Sequence, residues 1–325
     1  MNPILRTLLR TFVCAFWGLS LSGVHAQSYP NKPVKILVPW PAGGVVDLAA
    51  RQLAIRLQTA WSQPVVVENK VGAGGAIGAE QVARATPDGY TLLVTSSALS
   101  MNAALDPQKS MDTSKELERV ALLCNAPGVL IVHPSGAANI KELVANARAH
   151  PGKLSYATSG TGSPAHFATE LFKMQQNIFA LHIPYTGAPA AMTDQIAGRI
   201  DFQITNATVA LPQIAAGRVR ALAVTSATRM SLLPDVPTLM ESGVTNYNAD
   251  QWIGLFTPRG TPANITEKLS QEVNKILIQD PFRQVLAKSG INTAAPSSPV
   301  EFEKFYKQDI DKWIRVVKAA NIKPE

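Results

Sequence analysis

Cysteine is almost absent from this 325-residue chain, which carries only Cys14 and Cys124. Two cysteines so placed build no disulfide framework and no cysteine-rich zinc site. Charge is sparse at 16% of residues, and the basic residues are scattered, so no Lys/Arg-rich run marks a nucleic-acid surface. The few histidines include no H-E-x-x-H pair, so a zinc-hydrolase site is not encoded. There is no G-x-S-x-G elbow for a serine hydrolase and no Walker A loop for a nucleotide. Gly72-Ala73-Gly74 opens like a dinucleotide fingerprint, but Ile77 stands where G-x-G-x-x-G needs glycine. Those glycines read as a tight strand-to-helix turn. What remains is a chain that is 46% hydrophobic, long enough for about two domains with real cores.

The N-terminus stands apart. "MNPILRTLLR" carries Arg6 and Arg10 and no acid, an apolar run follows from Thr11 to Leu21, and Val24 and Ala26 are small. Positive start, short apolar run and small residues describe a secretory signal peptide, residues 1–26, cleaved after Ala26. The run is short of the ~20 apolar residues that span a bilayer. Its removal takes away Cys14 and leaves Cys124 alone. It also leaves 28 basic residues against 23 acidic ones, a balance of +5 that helps collect small anions.

After it, strand and helix signals alternate. "VKILV", "PVVVE", "YTLLVTS", "VLIVH", "KLSYATS", "IDFQITN" and "ALAVTS" are short β-rich runs. Between them lie helical periods such as Ala49, Leu53 and Leu57. This alternation predicts mostly parallel sheets covered by helices. Two helices close the chain. The first is expected with Thr261 as N-cap and Pro262 in its first turn; the second opens with Ser298 and Glu301 at capping-box spacing. Both are expected to pack on the first domain.

One plan occurs twice. "KILVPWPAGGVVDLAARQLAIRL" and "KLSYATSGTGSPAHFATELFKM" each run from strand through a small-residue loop into an amphipathic helix. Each aims a helix N-terminus, with its free N–H groups and positive dipole end, at whatever lies beyond the strand. In the second unit Ser163 is placed as N-cap and Pro164 at the first helical position. In the first, Asp47 reads as an N-cap in preference to a catalytic acid, because no partner base is in sight. Trp40, held between prolines, reads as a flat ligand wall in preference to a core aromatic. Ser96, Ser97, Ser159 and Thr161 follow strand ends, where open α/β folds place ligand contacts. His166 has two readings that the sequence leaves open: a solvent-facing helix residue, or a donor to a ligand carboxylate.

Taken together, these motifs resemble the Bug-type receptors of tripartite tricarboxylate transporters, which are periplasmic solute-binding proteins. The resemblance runs through "YPNKPVKILVPWPAGGVVDLAAR", "QPVVVENKVGAGGAIGAEQVARATPDGYTLL", "YATSGTGSPAHFATELF", "HIPYTGAPAAMTD", "GRIDFQI", "AAGRVRALAVTSATR", "LPDVPTLMESG", "WIGLFTPRGTP" and "WIRVVKAANIKPE". It implies a periplasmic binding protein type II-like α/β fold, with two domains around a ligand cleft joined by two crossover strands. Domain 1 would comprise 27–124 and 225–325, and domain 2 would comprise 125–224. It implies a monomeric periplasmic receptor for a small carboxylate, with no catalysis, cofactor, metal or nucleic acid, that delivers its ligand to separate membrane permease subunits. By motif, Trp40, Ala42, Gly43, Gly44, Val46 and Asp47 correspond to a first ligand loop, and Ser96 and Ser97 to a second. Ser159, Gly160, Thr161, Gly162 and His166 correspond to the facing loop, and Asn206 closes the "IDFQITN" strand.

Departures from the family pattern carry information. Val45 and Val46 stand where small or hydroxyl residues are frequent, Thr205 where an Asp is frequent, and Lys70-Val71 replace Arg-Pro. The first two changes predict a carboxylate with an apolar or aromatic body. Two other readings compete. An exported hydrolase or nicotinamide enzyme would need a nucleophile with a base, or an intact cofactor loop. A sensor docking on a membrane signalling partner would share the receptor's cleft.

Overall fold

The computed structural model describes residues 29–106 and 115–323. The proposed signal peptide lies outside them. The fold that follows is that of the unit beginning at Lys32.

Runs of β-branched and aliphatic residues form the strands, and amphipathic segments the helices that cover them. The chain begins with β1 (Val34–Val38), α1 (Val45–Trp61), β2 (Val65–Asn69), α2 (Ala76–Ala83), β3 (Thr91–Ser96) and α3 (Ala98–Leu105). It continues with β4 (Leu117–Ala126), β5 (Gly128–Val132), α4 (Ile140–Ala149), β6 (Ser155–Thr158), α5 (Pro164–Gln176) and β7 (Leu181–Pro184). Then come α6 (Ala188–Ile196), β8 (Phe202–Asn206), α7 (Ala207–Ala215) and β9 (Arg220–Val224). The chain closes with β10 (Gln251–Pro258), α8 (Ala263–Leu277), α9 (Asp280–Ala287), β11 (Asn292–Thr293) and α10 (Pro299–Ala320).

Two sheets result, in the orders β11-β4-β10-β3-β1-β2 and β7-β6-β8-β5-β9. They are mixed, not mostly parallel. In the first, β1 lies parallel to β2 and β3, while β10 runs antiparallel between β3 and β4. In the second, β6 is parallel to β7 and β8, and β5 runs antiparallel between β8 and β9. The inserted antiparallel strand is in each case the one that has just arrived from the other sheet. β4 and β5 belong to different sheets with only Pro127 between them. The return path from β9 to β10 is longer: Leu239, Val244, Tyr247 and Ala249 are buried with the second sheet's core before the chain reaches β10. Among the described residues no helix is long and apolar enough to cross a membrane.

The two closing helices behave differently. α8 starts at Ala263 with Pro262 in the capping position, because the Thr261 hydroxyl turns back to donate to the Pro258 carbonyl at 2.7 Å. α10 has the full capping box between Ser298 and Glu301. Its 22 residues make it about 33 Å long at 1.5 Å per residue, enough to reach both sheets. Its first half buries Phe302 and Tyr306 with Trp252 and Phe256 under the first sheet. Its second half buries Trp313 and Val316 in the core of the second, with Trp313 edge-on to Phe167 at 5.3 Å between ring centroids.

A buried carboxylate pins this helix. Asp309 Oδ2 accepts from the Ser100 hydroxyl at 2.6 Å, Trp252 Nε1 at 2.8 Å and Trp313 Nε1 at 3.1 Å, and Oδ1 pairs with Lys312 Nζ at 2.7 Å. Trp252 and Trp313 are almost wholly buried, so each indole N–H needs this acceptor, whereas the Ser100 hydroxyl also has the Ser97 carbonyl within reach at 2.8 Å. Asp309→Ala is therefore expected to lower unfolding free energy by about 3–5 kcal/mol, since it strands two buried indole donors and the Lys312 charge. Urea titration followed by tryptophan fluorescence measures it; a loss below about 1 kcal/mol would mean that water replaces the carboxylate without cost.

Candidate functional site

The helix starts define the site. A cavity of about 600 Å³ opens between the two sheets. Pro39, Trp40, Pro41, Ala42, Gly43, Gly44, Val45 and Val46 form one wall, where β1 passes through its loop into α1. Val71–Gly75 adds the turn between β2 and α2 to that side. The opposite wall combines Ser159, Pro164 and Ala165 at the start of α5, Thr186–Pro189 at the start of α6, and Thr205, Asn206, Thr208 and Val209 at the start of α7. The back is made where the crossings run: Ala126, Gly128, Thr225, Ala249 and Gln251, with Gln203 beside them. Four α-helix N-termini thus meet one cavity, and among the described residues no Lys, Arg, Asp or Glu lines it.

Helix geometry decides which N–H groups a ligand can use, because a helix cannot pair its own first three. In α1 those belong to Val45, Val46 and Asp47. The loop glycines are less free than the sequence suggests. Gly43 N–H is taken by Asp47 Oδ2 at 2.9 Å, and Gly44 N–H bends back to the Pro41 carbonyl at 3.4 Å. In α5, Pro164 has no N–H and His166 N–H goes to the Ser163 hydroxyl at 3.3 Å, which leaves that of Ala165. In α7, Ala207 N–H reaches the Pro127 carbonyl at 3.3 Å, leaving those of Thr208 and Val209.

Asp47 is not the N-cap. Gly44 holds that position, and Asp47 sits in the first turn, 3% exposed and away from the cavity surface. It holds the loop from beneath: Oδ2 accepts from Gly43 N–H and Arg51 Nε, both at 2.9 Å, and Oδ1 from Asn69 Nδ2 at 2.8 Å. Asn69 Nδ2 also reaches the Trp40 carbonyl at 2.9 Å, so one carboxylate and one amide fix both ends of Trp40–Gly43. Gly43 adopts φ +81°, a backbone that a side chain would strain. Trp40 lies half-buried on the cavity wall, its Nε1 donating to Thr95 Oγ1 at 3.4 Å.

The other sequence-derived candidates divide. Ala42, Gly44, Val46, Ser159 and Asn206 line the cavity with Trp40 and Gly43. Ser96 and Ser97 do not: both are fully buried, because β10 lies against the end of β3 and the Trp252 carbonyl takes Ser97 N–H at 2.9 Å. Gly160 and Gly162 shape the turn with φ of +123° and +73°, and of that loop only Ser159 faces the main cavity. His166 and Thr161 open instead onto a second cavity of about 400 Å³ with Glu170, Lys173 and His182. The reason is helical phase. Pro164 and Ala165 point into the cleft, and the next residue round the turn points behind it.

His166 is neutral there. It stacks on His182 at 4.2 Å, and its Nδ1 accepts from Gly162 N–H at 3.2 Å. Burial, with the charges of His182 and Lys173, pushes its pKa down to about 3. Glu170 in the same cluster accepts from the Tyr156 hydroxyl and from Lys173 Nζ. Among the described residues no His, Cys, Asp or Glu group is arranged to hold a metal ion.

The cavity also contains residues that sequence reasoning passed over. Thr186–Pro189 follows β7 as a further strand-loop-helix start, and the same rule that found the other two would have found it. The Val71–Gly75 turn forms as expected but faces the cavity as well. Gln203, Thr225 and Gln251 carry no comparable signal, since they are isolated polar residues in strands or at strand ends.

Comparison with known proteins places this geometry. A family model described as tripartite tricarboxylate transporter family receptor matches residues 49–322. The periplasmic binding protein BugD is 33% identical with a TM-score of 0.82, covering 91% of this chain and 100% of its own. Rpa4515 of R. palustris, solved with adipate, is 31% identical with a TM-score of 0.84, covering 91% and 100%. MatC of Rhodopseudomonas palustris, solved with bound malate, is 30% identical with a TM-score of 0.80, covering 89% and 100%.

Asp47 yields a pH test. Burial alone would raise its pKa, but the bonds from Arg51, Gly43 N–H and Asn69 outweigh it and hold the carboxyl below its ordinary 3.8. A depressed carboxylate stabilises the fold fully above its unfolded pKa and loses that contribution as pH falls through the folded value. Asp47→Ala is expected to cost about 1–3 kcal/mol at pH 7 and to flatten acid unfolding below about pH 4. Urea midpoints from pH 7 to pH 2.5 check this; an unchanged acid limb would exclude the assigned role.

Proposed function

The chain belongs to the family of tripartite tricarboxylate transporter receptors, and from that footing we propose that it captures a small carboxylate in its interlobe cavity and hands it to a separate membrane permease. The observation that carries this reading is the convergence of four helix N-termini on a cavity that, among the described residues, no charged side chain lines. Helix starts offer donors and a positive dipole end to an anion. A lysine or arginine would bind more strongly but release more slowly, and a receptor must give its ligand up. The solved relatives with adipate and with malate support a carboxylate ligand.

The apolar parts of the wall refine the class. Val45 and Val46 stand at the very N–H groups that α1 offers, with Trp40 and Val71 on the same side of the cavity and Val209 on the opposite wall. An anion seated there keeps its remaining carbons against aliphatic and aromatic surface, which contributes about 25 cal/mol per Å² buried. The ligand is therefore a carboxylate with an apolar or aromatic body. The family's binding-protein relatives support a periplasmic location, and the sequence pattern supports residues 1–26 as an export signal cleaved after Ala26.

Binding would work by closure. The walls come from two lobes, which part at Pro127 and along 225–250, and a ligand favours closure only by touching both. The catalytic alternative has little support at this site, where no nucleophile–base pair lines the cavity.

Calorimetry on the purified protein tests ligand class: acids with an aromatic ring or about six carbons are expected to bind at least tenfold tighter than succinate or malate. Tight binding of the short diacids with none of the others would refute the apolar-body assignment. Ala165→Asp tests the mechanism. An acidic residue in a helix first turn does not harm the helix, but it would occupy the anion position, so binding should fall by two orders of magnitude or more while the unfolding midpoint holds. Small-angle scattering should show compaction with the tight ligand, and an unchanged radius of gyration at saturation would exclude closure.

A further inference from the structure

Asn102 lies where the two lobes meet. It belongs to α3, whose Leu99 is buried in the first sheet's core while Met101 and Ala104 are buried in the second's. Its Nδ2 donates to the Gly74 carbonyl at 3.1 Å. A carbonyl only accepts, so this bond fixes which side of the amide carries Oδ1. On that side lies Gly162, where a Cβ would stand 3.1 Å from Asn102 Oδ1 and 3.6 Å from Leu105 Cδ2. One side chain thus sets its nitrogen on the 71–75 turn of the first lobe and its oxygen against the 159–163 loop of the second. Both segments border the cavity, which Val71–Gly75 and Ser159 line. The turn needs holding, because Ala73 adopts φ +46°, a conformation that side chains disfavour. Gly75 N–H closes the turn on the Gly72 carbonyl at 3.0 Å, and among the described residues Asn102 is the side chain that ties it to the rest of the molecule. The facing loop is held from its other side, where Gly162 N–H reaches His166 Nδ1 and Gly160 N–H reaches Thr158 Oγ1, both at 3.2 Å.

We propose that Asn102 is a positioning residue for ligand capture: its amide nitrogen holds the 71–75 turn, its amide oxygen sets how near the facing loop can come at Gly162, and together they fix the spacing of the two loops across the cavity. This rests on the carboxylate reading given above. A ligand that touches both lobes is sensitive to that spacing, although Asn102 itself does not line the cavity. The chemistry asks for asparagine in particular. Leucine has the same branching but no donor for the Gly74 carbonyl, and aspartate sets a charged oxygen against it. Gly162 is required for the matching reason. Its φ of +73° disfavours a side chain, and a Cβ there would drive the loop away from Asn102.

The test is calorimetry with hexanoate, adipate and benzoate, using whichever binds the unaltered protein most tightly. Asn102→Asp and Asn102→Leu are each expected to weaken binding at least tenfold, with urea midpoints close to that of the unaltered protein. A double-mutant cycle then separates positioning from general disturbance. Gly162→Ala is expected to weaken binding at least tenfold on its own, but at least fivefold less than that when added to Asn102→Ala, because the group it would meet is gone. Equal losses from Gly162→Ala in both backgrounds would overturn the proposal and leave the carboxylate reading intact. Binding by Asn102→Asp and Asn102→Leu within twofold of the unaltered protein would also overturn it. Binding of none of the three acids by the unaltered protein would instead remove the carboxylate reading and this one with it. A far-UV spectrum and urea midpoint of each variant separate lost positioning from lost fold.

Discussion

A helix cannot bond its own first N–H groups, and in this protein four helices begin around the same cavity. Those groups must find partners there or remain unpaired at a cost of about 1–3 kcal/mol each when water is excluded. The arrangement demands an acceptor, and the cavity's lining side chains offer it no charge of either sign. An anion meets the demand with donors already oriented, so little needs to be rearranged on binding. The same arrangement explains why the loop residues are small or apolar. Gly43, Gly44, Ala165 and Ala188 let backbone approach the ligand, and side chains with charge of their own would compete with it.

Such a site works only if its loops are held from outside. Asp47 and Asn69 do this for the first loop, from beneath α1 and from the end of β2. Ser163 does it for the second by capping α5. Asp309 acts on a larger scale. It joins the Trp252 indole of β10 and the Ser100 hydroxyl of α3 to α10, a helix packed into both cores.

The strands with short, bounded, β-branched runs were legible in the sequence, and so were both small-residue loops, because strand end, glycine and helix start are local signals. β10 was not. Its eight residues are all buried, so "QWIGLFTP" shows no alternation, and its partners β3 and β4 are far away in the chain. That omission had consequences. With β10 unseen the first sheet looked mostly parallel, and Ser96 and Ser97 looked exposed at a strand end that β10 in fact covers; in the second sheet β5 was seen, but its reversed direction comes from the crossing at Pro127 and not from its own residues. Asp47 was legible as a holding residue but misplaced by three positions, since Gly44 caps the helix without a side chain. His166 could not be placed from spacing alone, because one residue along a helix changes direction by about 100°. Gln203 and Gln251 were invisible for a different reason: a lone polar residue in a strand acquires meaning only when the fold places it on a cavity wall.

The central claim is that backbone N–H groups at the helix starts of both lobes, and not side-chain cations, hold the ligand's carboxylate. Amide-resolved NMR of ¹⁵N-labelled protein titrated with a tightly bound carboxylic acid tests it directly. The account predicts that the largest shifts fall on Val45, Val46, Ala165, Thr208 and Val209, with Lys and Arg side-chain signals unmoved. Shifts confined to one lobe, or centred on Thr161, His166 and Lys173 around the second cavity, would contradict it.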